Sequence, residues 1–362
     1  MKRAGMWSVV PAFLAAGLAT GLATGAYAQK SVATPPRPER STAARPSTLT
    51  FEVEVTDQAG HPVTGLQGSD FTVFDNIQPA AIQTFAAHTA ASPNSAQSAI
   101  VVIDAVNTSF VGTSLAEHQL QSFLQKQSEP LPFPIGIVLL RDTGLTPLGP
   151  YSSNGKVLLA QLRKQSGQLR QLNRSGGLWG AEERMNISLN AMGTLARLLT
   201  ATPGRKLLIW ISPGWATFDN PGLIPNSRQE HALLSAAVNL SEEMEEGRAT
   251  VYDVDPLGTW DAASYRTFLW QDFTKPLRGW TQAQPGDLAL QVLAVQSGGL
   301  VLNSSNDVAG EVKTCAQDGS AWYTITIARQ ASEKPDTWRT VEVKLDKPGL
   351  RVRTRDGYYA QP

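Results

Sequence analysis

Two carboxylates spaced two apart, Asp253 and Asp255, close the apolar run 250–254 and would share one face of a strand, where such a pair could divide acid and base work. Asp255-Pro256 is also an ordinary turn start, and the turn is the preferred reading. Cys315 is the single cysteine, so no intramolecular disulfide forms. It lies in an expected helix over 307–316 with no histidine near it in sequence, and it reads as a small buried hydrophobe rather than a nucleophile. His61, His88, His118 and His231 are scattered and leave few ligands for zinc. The patterns G-x-S-x-G, G-x-G-x-x-G, the phosphate loop and H-E-x-x-H are absent. Glu242, Glu243, Glu245 and Glu246 end a helical pattern before Gly247 and read as a solvated face rather than a cation cluster. No catalytic residue is nominated, and the chain is expected not to be an enzyme.

Indole is what the chain offers instead. Trp179, Trp215 and Trp260 fall in loops expected at the carboxyl edge of a sheet. The segment 256–286 adds Tyr265, Phe268, Trp270, Phe273 and Trp280. Tryptophan removes a large apolar area from water while keeping a donor, which is why it recurs at binding hot spots. Trp179, Trp215, Trp260, Trp270 and Trp280 are therefore the candidate partner-binding residues. The competing reading is a private mini-core beneath a long loop.

The elements that would position these groups follow from composition and period. Lys2 and Arg3 precede an apolar run from 6 to 22 that ends in Ala26-Tyr27-Ala28, the pattern of a signal peptide over 1–28. The Pro-rich stretch 29–47 reads as a disordered linker. From Leu49 the pattern turns period two, with Phe51, Val53 and Val55 against Glu52, Glu54 and Thr56, and β signals continue through 48–90. Residues 98–318 alternate short apolar strands (99–103, 135–140, 206–211, 250–254, 300–302) with amphipathic helices, which predicts a doubly wound, mostly parallel α/β sheet. Period-two segments return over 320–360. Neither flank closes a core alone, so the two are expected to pair as one antiparallel β-sandwich built from both ends of the chain.

Several of these segments carry a resemblance. Ile103-Asp104-Ala105-Val106-Asn107-Thr108 sits where a von Willebrand factor type A domain carries its metal motif. Val53-Glu54-Val55-Thr56-Asp57, Pro62-Val63-Thr64-Gly65-Leu66, Asp70-Phe71-Thr72-Val73, Leu208-Ile209-Trp210-Ile211-Ser212-Pro213-Gly214 and Arg355-Asp356-Gly357-Tyr358-Tyr359 resemble the acidobacterial group of von Willebrand factor type A-related exported proteins. The resemblance spans about residues 49–360 and rests on motif order. It implies the α/β fold with appended β regions, and no established activity.

Type A domains that hold a metal use D-x-S-x-S, a Thr before a middle helix and an Asp after the fourth strand, all oxygen ligands for a hard cation. Against that pattern Asp104 matches, Val106 replaces the first Ser and Thr108 stands at the second. The stretch 176–179 offers no hydroxyl beyond Ser175, and Ser212-Pro213-Gly214 carries no carboxylate. The resemblance thus implies a degenerate site with residual positions Asp104 and Thr108, no resident metal or other cofactor, and at most weak Mg²⁺ or Mn²⁺ binding. Asp104, Asn107 and Thr108 then read as caps where the first strand enters its helix.

Lys plus Arg number 31 and Asp plus Glu number 31, so no net field draws the chain to nucleic acid. No second apolar run is long enough for a membrane span after signal cleavage. The expectation is an exported protein, periplasmic or secreted: a non-enzymatic interaction or adhesion-type module that binds an unknown protein or envelope component through its aromatic rim. Alternatives are a metal-dependent adhesion domain, a structural component of an envelope assembly, and a hydrolase with unrecognised residues.

Overall fold

The alternation of Leu49, Phe51, Val53 and Val55 makes β1 (Thr48–Thr56) a strand with one continuous apolar face. The computed structural model describes residues 47–90, 96–128, 130–165, 177–215, 225–258 and 269–362, and the fold below is that of these residues. The signal peptide and nearly all of the Pro-rich linker lie outside them.

After β1 come β2 (Phe71–Asp75), β3 (Gln78–Ala80) and β4 (Ile82–Thr89). The chain then enters β5 (Gln97–Asp104), α1 (Phe110–Gln125), β6 (Ile135–Arg141), β7 (Gly144–Pro147), α2 (Gly155–Gln165), α3 (Gly177–Thr200) and β8 (Arg205–Ile211). It continues through α4 (Ser227–Glu246), β9 (Ala249–Val254), three 3₁₀ turns, α5 (Leu290–Gln296), β10 (Val301–Leu302) and α6 (Val308–Asp318). Strands β11 (Ala321–Ala328), β12 (Thr337–Leu345), β13 (Arg351–Thr354) and β14 (Gly357–Ala360) end it.

The protein is a mixed α/β fold. Its six-stranded sheet runs β10-β9-β8-β5-β6-β7, parallel except for β7, which returns antiparallel along β6. The sequence periodicity did not single out β7. Alternate strand residues serve two cores, as parallel strands covered on both faces require. Ile100, Val102, Leu208, Trp210 and Val251 pack with α3, α4 and α5. Val101, Ile103, Ile137, Ile209, Ile211, Tyr252 and Val254 pack with α1, α2 and α6.

The remaining strands form two antiparallel sheets, β13-β1-β11-β4 and β14-β12-β2-β3. Leu49 opposes Ile327 and Phe51 opposes Ile325, while Val73 opposes Val343, so each sheet joins strands from the two ends of the chain. Phe51, Val53, Phe71, Val73, Tyr323, Ile325 and Tyr358 share the core between them.

The polar face of β1 is not left to water. Buried Glu54 pairs with fully buried Arg205 at the start of β8, and Glu52 pairs with Arg248. Arg205 also donates to the Asp318 carbonyl at 2.9 Å and lies 5.1 Å from the Trp322 ring centre, while Arg353 pairs with the Asp318 carboxylate. The acidic end of α4 joins the same seam, which corrects its reading as a solvated face. Glu245 pairs with Arg329 and Arg355, and Glu242 accepts from Gln361 Nε2 at 3.2 Å. Glu243 meets Arg197 on its own side at 3.3 Å.

Candidate functional site

At the carboxyl end of β5, Asp104 continues the face that carries Ile100 and Val102. The neighbouring strand is parallel and in register, with Val102 opposite Trp210, so the Trp210 indole stands on the same face one strand away. Its Nε1–H donates to Asp104 Oδ2 at 3.0 Å. Asn107 Nδ2 donates to the same oxygen at 2.8 Å, while the amides of Val106 and Asn107 donate to Oδ1 at 2.8 and 2.9 Å. An ionised carboxylate has about four acceptor positions. All four bonds are made inside the protein, and the residue is fully buried.

The surrounding groups extend this network. Asn107 Nδ2 also donates to Ser188 Oγ of α3 at 2.8 Å, and Ser188 in turn donates to the Arg184 carbonyl at 2.9 Å. Ser109 Oγ caps α1 by accepting from the Gly112 amide at 3.1 Å. Ser212 Oγ accepts from the Gly214 amide at 3.2 Å, closing the turn after β8.

These residues do not fit the divalent cation that the type A pattern would hold. Both oxygens of Asp104 face N–H donors, and a cation at the same place would set its charge against an indole and an amide. Val106, at the first hydroxyl position, is buried in the core. Among the described residues no group of three or more His, Cys, Asp or Glu is placed to hold a metal ion. Asp255 makes the turn rather than a carboxylate pair: its Oδ1 accepts from the Leu257 amide at 3.0 Å. Asp253 is fully buried opposite Trp210 in the register.

The nominated tryptophans do not form one rim. Trp215 is 4% exposed and meets Trp210 edge-on, ring centres 5.5 Å apart, within the α3–α4 core. It is corrected from rim to core residue, because the turn after β8 folds its side chain back over the sheet. Trp270 is half-buried in the 3₁₀ turn Trp270–Phe273, whose Phe273 ring closes over Gly286. Trp280 is 36% exposed and stacks on His231 at 4.3 Å between ring centres. Leu277 and Ala283 of the same segment are buried in the α3–α4 core, so the segment is anchored while Trp280 stays at the surface. Trp260 lies outside the described residues, and Trp179 falls in the first turn of α3, where only the backbone is described.

The residue that the sequence reading missed is Trp210. The available signal was strand parity, since positions 104 and 210 both fall on the α3–α4 face of neighbouring strands. Phe110 and Val111, exposed at the start of α1 just past Asp104, also lie at this edge of the sheet.

Glu311 of α6 is 7% exposed. Burial, then the nearby Asp255 and Asp307 carboxylates, push its pKa up from 4.5 to about 8. Between those two values the folded protein holds a proton that the unfolded chain has released, so this group lowers stability as pH rises from about 4.5 to about 8. Glu311→Gln is expected to raise the melting temperature at pH 9 by several degrees, given roughly 2–4 °C per kcal/mol for a domain of this size. It should leave the pH 4 value nearly unchanged. Thermal melts of both proteins from pH 4 to 9 check this, and parallel curves would contradict it. Cys315 is fully buried, and burial holds its thiol well above its usual pKa, far from nucleophile chemistry.

No family model matches the chain, and no curated protein matches it. Solved structures do. An aerotolerance-related membrane protein from Bacteroides fragilis, crystallised with multiple mutations to serine, is 10% identical, with 61% of this chain covering 98% of that one at a TM-score of 0.32. BatB, a conserved hypothetical protein from Bacteroides thetaiotaomicron, is 13% identical over 61% of this chain and 98% of its own, at 0.29. Manganese-loaded TRAP protein from Plasmodium vivax is 8% identical over 76% of this chain and 98% of its own, at 0.33.

Proposed function

We propose that this chain is an exported, non-enzymatic protein-interaction module of von Willebrand factor type A-like layout, whose metal position has become a structural knot. One observation carries the reading: the Asp104 carboxylate, buried at the carboxyl end of the sheet, is filled by four donors of the chain itself, one of them the Trp210 indole. A metal-dependent adhesion domain keeps that carboxylate for the cation and the cation's open position for a partner. Here contact falls to exposed apolar surface at the same edge. Helix α4 starts at the carboxyl side of the sheet, because β9 begins at the opposite side directly after it ends. His231, in the second turn of α4, therefore carries Trp280 at that edge. Trp270 and Trp280 remain as candidate contacts, and Trp215 does not. Among the described residues no helix is long and apolar enough to cross a membrane. The partner class is a protein or another component of the cell envelope.

Two measurements test this. Millimolar Mg²⁺ or Mn²⁺ should leave the melting temperature unchanged, whereas a site a hundredfold saturated would add about 2.7 kcal/mol. Binding of the immobilised protein to solubilised envelope material should survive EDTA and fall at least about tenfold in Trp280→Ala, with folding stability altered by no more than about 1 kcal/mol. Binding that EDTA abolishes, or that Trp280→Ala leaves intact, would overturn the reading.

A further inference from the structure

Six strands end the three sheets of the described residues, and five are guarded. Strand β3 has three residues and contains Pro79, β7 has four and ends in Pro147, and β10 has two. Four-residue β13 carries Arg351 and Arg353, the latter donating to the Gly298 carbonyl at 2.6 Å. Four-residue β14 lies against α4. Short length, proline and charge are the usual means by which proteins keep sheet edges from pairing.

Strand β4 has none of these three; its one irregularity is a bulge at Gln83, between Thr84 opposite Thr326 and Ile82 opposite Ile327, which leaves Thr84–Thr89 as the regular stretch. It runs eight residues, Ile82 to Thr89, without a proline, lysine, arginine or carboxylate. It pairs with β11 on one side and ends its sheet on the other. Among the described residues no backbone hydrogen bond reaches Ile82–His88 from that outer side. Gln83, Thr84, Ala86 and Ala87 are exposed. From Thr84 onward successive residues point to opposite faces, so exposed Thr84 and Ala86 lie on one face and exposed Ala87 on the other. His88 is turned onto its own sheet, where its ring stacks on Trp322 at 5.0 Å and Nε2 lies 3.0 Å from Thr324 Oγ1.

We propose that β4 pairs with β4 of a second copy of this chain, antiparallel about a twofold axis, joining two four-stranded sheets into one of eight. Strand addition by a foreign peptide gains specificity from pockets for alternate side chains, and exposed Ala86 and Ala87 offer none. A second copy supplies a matching uncharged strand, and twofold antiparallel pairing is self-complementary. No like charges meet across the pair, and the near balance of 31 basic and 31 acidic residues leaves little long-range repulsion between copies. The surface belongs to the β13-β1-β11-β4 sheet, whereas Trp280 sits in a 3₁₀ turn stacked on α4, and it stands independently of the carboxyl-edge reading.

Sedimentation velocity of the purified protein from about 1 to 100 µM tests it, a range centred where interfaces of modest affinity dissociate. A monomer–dimer equilibrium is expected. The double variant Thr84→Lys, Ala86→Lys should weaken it at least about tenfold with an unchanged melting temperature, since both positions are exposed and the lysines would confront their copies across the axis. Ile77→Lys, which removes an exposed apolar side chain from the β2–β3 turn, should leave it intact. Should the lysine pair harm folding, hydrogen exchange of the unaltered protein decides, with β4 amides gaining protection as concentration rises. A monomer at every concentration overturns the proposal, including one that takes up an added extended peptide. So does a dimer that Ile77→Lys dissolves, or one in which β4 gains no protection.

Discussion

Asp104→Ala lowers folding stability by about 3 kcal/mol or more, and Mg²⁺ neither causes nor repairs the loss. The substitution strands the Trp210 indole N–H, the Asn107 side-chain amide and two backbone amides at once, and a buried donor left unpaired costs about 1–3 kcal/mol. Asp104→Asn separates charge from geometry. Its Oδ1 keeps the Val106 and Asn107 amides, but an NH₂ group then faces two donors where Oδ2 accepted two. A cost of at least about 2 kcal/mol follows, although the two side chains are nearly isosteric. At a metal position the opposite would hold, because removing an uncompensated carboxylate relieves the metal-free protein. Urea unfolding with and without 5 mM Mg²⁺, taken as about a saturating level for an ordinary site, distinguishes the two. An Asp104→Ala protein as stable as the parent would sink the structural role.

Arg205→Met costs about 3–5 kcal/mol at pH 8. Arg205 is fully buried, so its loss removes the guanidinium beside Glu54 and the donor to the Asp318 carbonyl, and leaves the buried carboxylate with Arg353 as its remaining nearby cation. Burial already raises the Glu54 pKa above its usual value, and losing Arg205 raises it further. A carboxyl raised in the folded state takes up its proton there first, so the penalty shrinks toward pH 5 and grows as pH rises. Glu54→Leu added to Arg205→Met should recover much of the loss, since replacing both members of a buried pair is far less costly than removing one. Chevron-free equilibrium unfolding at pH 5 and pH 8 for the two proteins reads this directly. A pH-independent cost, or no recovery in the double variant, would contradict the assignment.

Both predictions concern contacts that local pattern does not reveal. Glu52 and Glu54 were visible as the polar half of a period-two strand, and the same period is satisfied by a strand facing water. Only the docking of β1 against β8 and α4 turned those positions into buried ion pairs. The acidic end of α4 read as solvated for the same reason: helix charge patterns report neighbours one turn away, and the arginines that meet Glu245 lie more than eighty residues along the chain. The segment around Trp280 divided in a way composition could not foresee, with Leu277 and Ala283 buried and Trp280 at the surface.

Local residue pattern was enough to place the alternating strands and helices of the mostly parallel sheet and the period-two flanks, and it offered no recognised catalytic motif. These are short-range properties, written in apolar periods of 2 and 3.6 that a few consecutive residues suffice to express. Long-range packing set which indole serves the core and which faces solvent, and which donors meet Asp104. Trp210 and Asp104 meet because two strands 106 residues apart run parallel in one register, and that register is chosen by the packing of helices on both faces of the sheet.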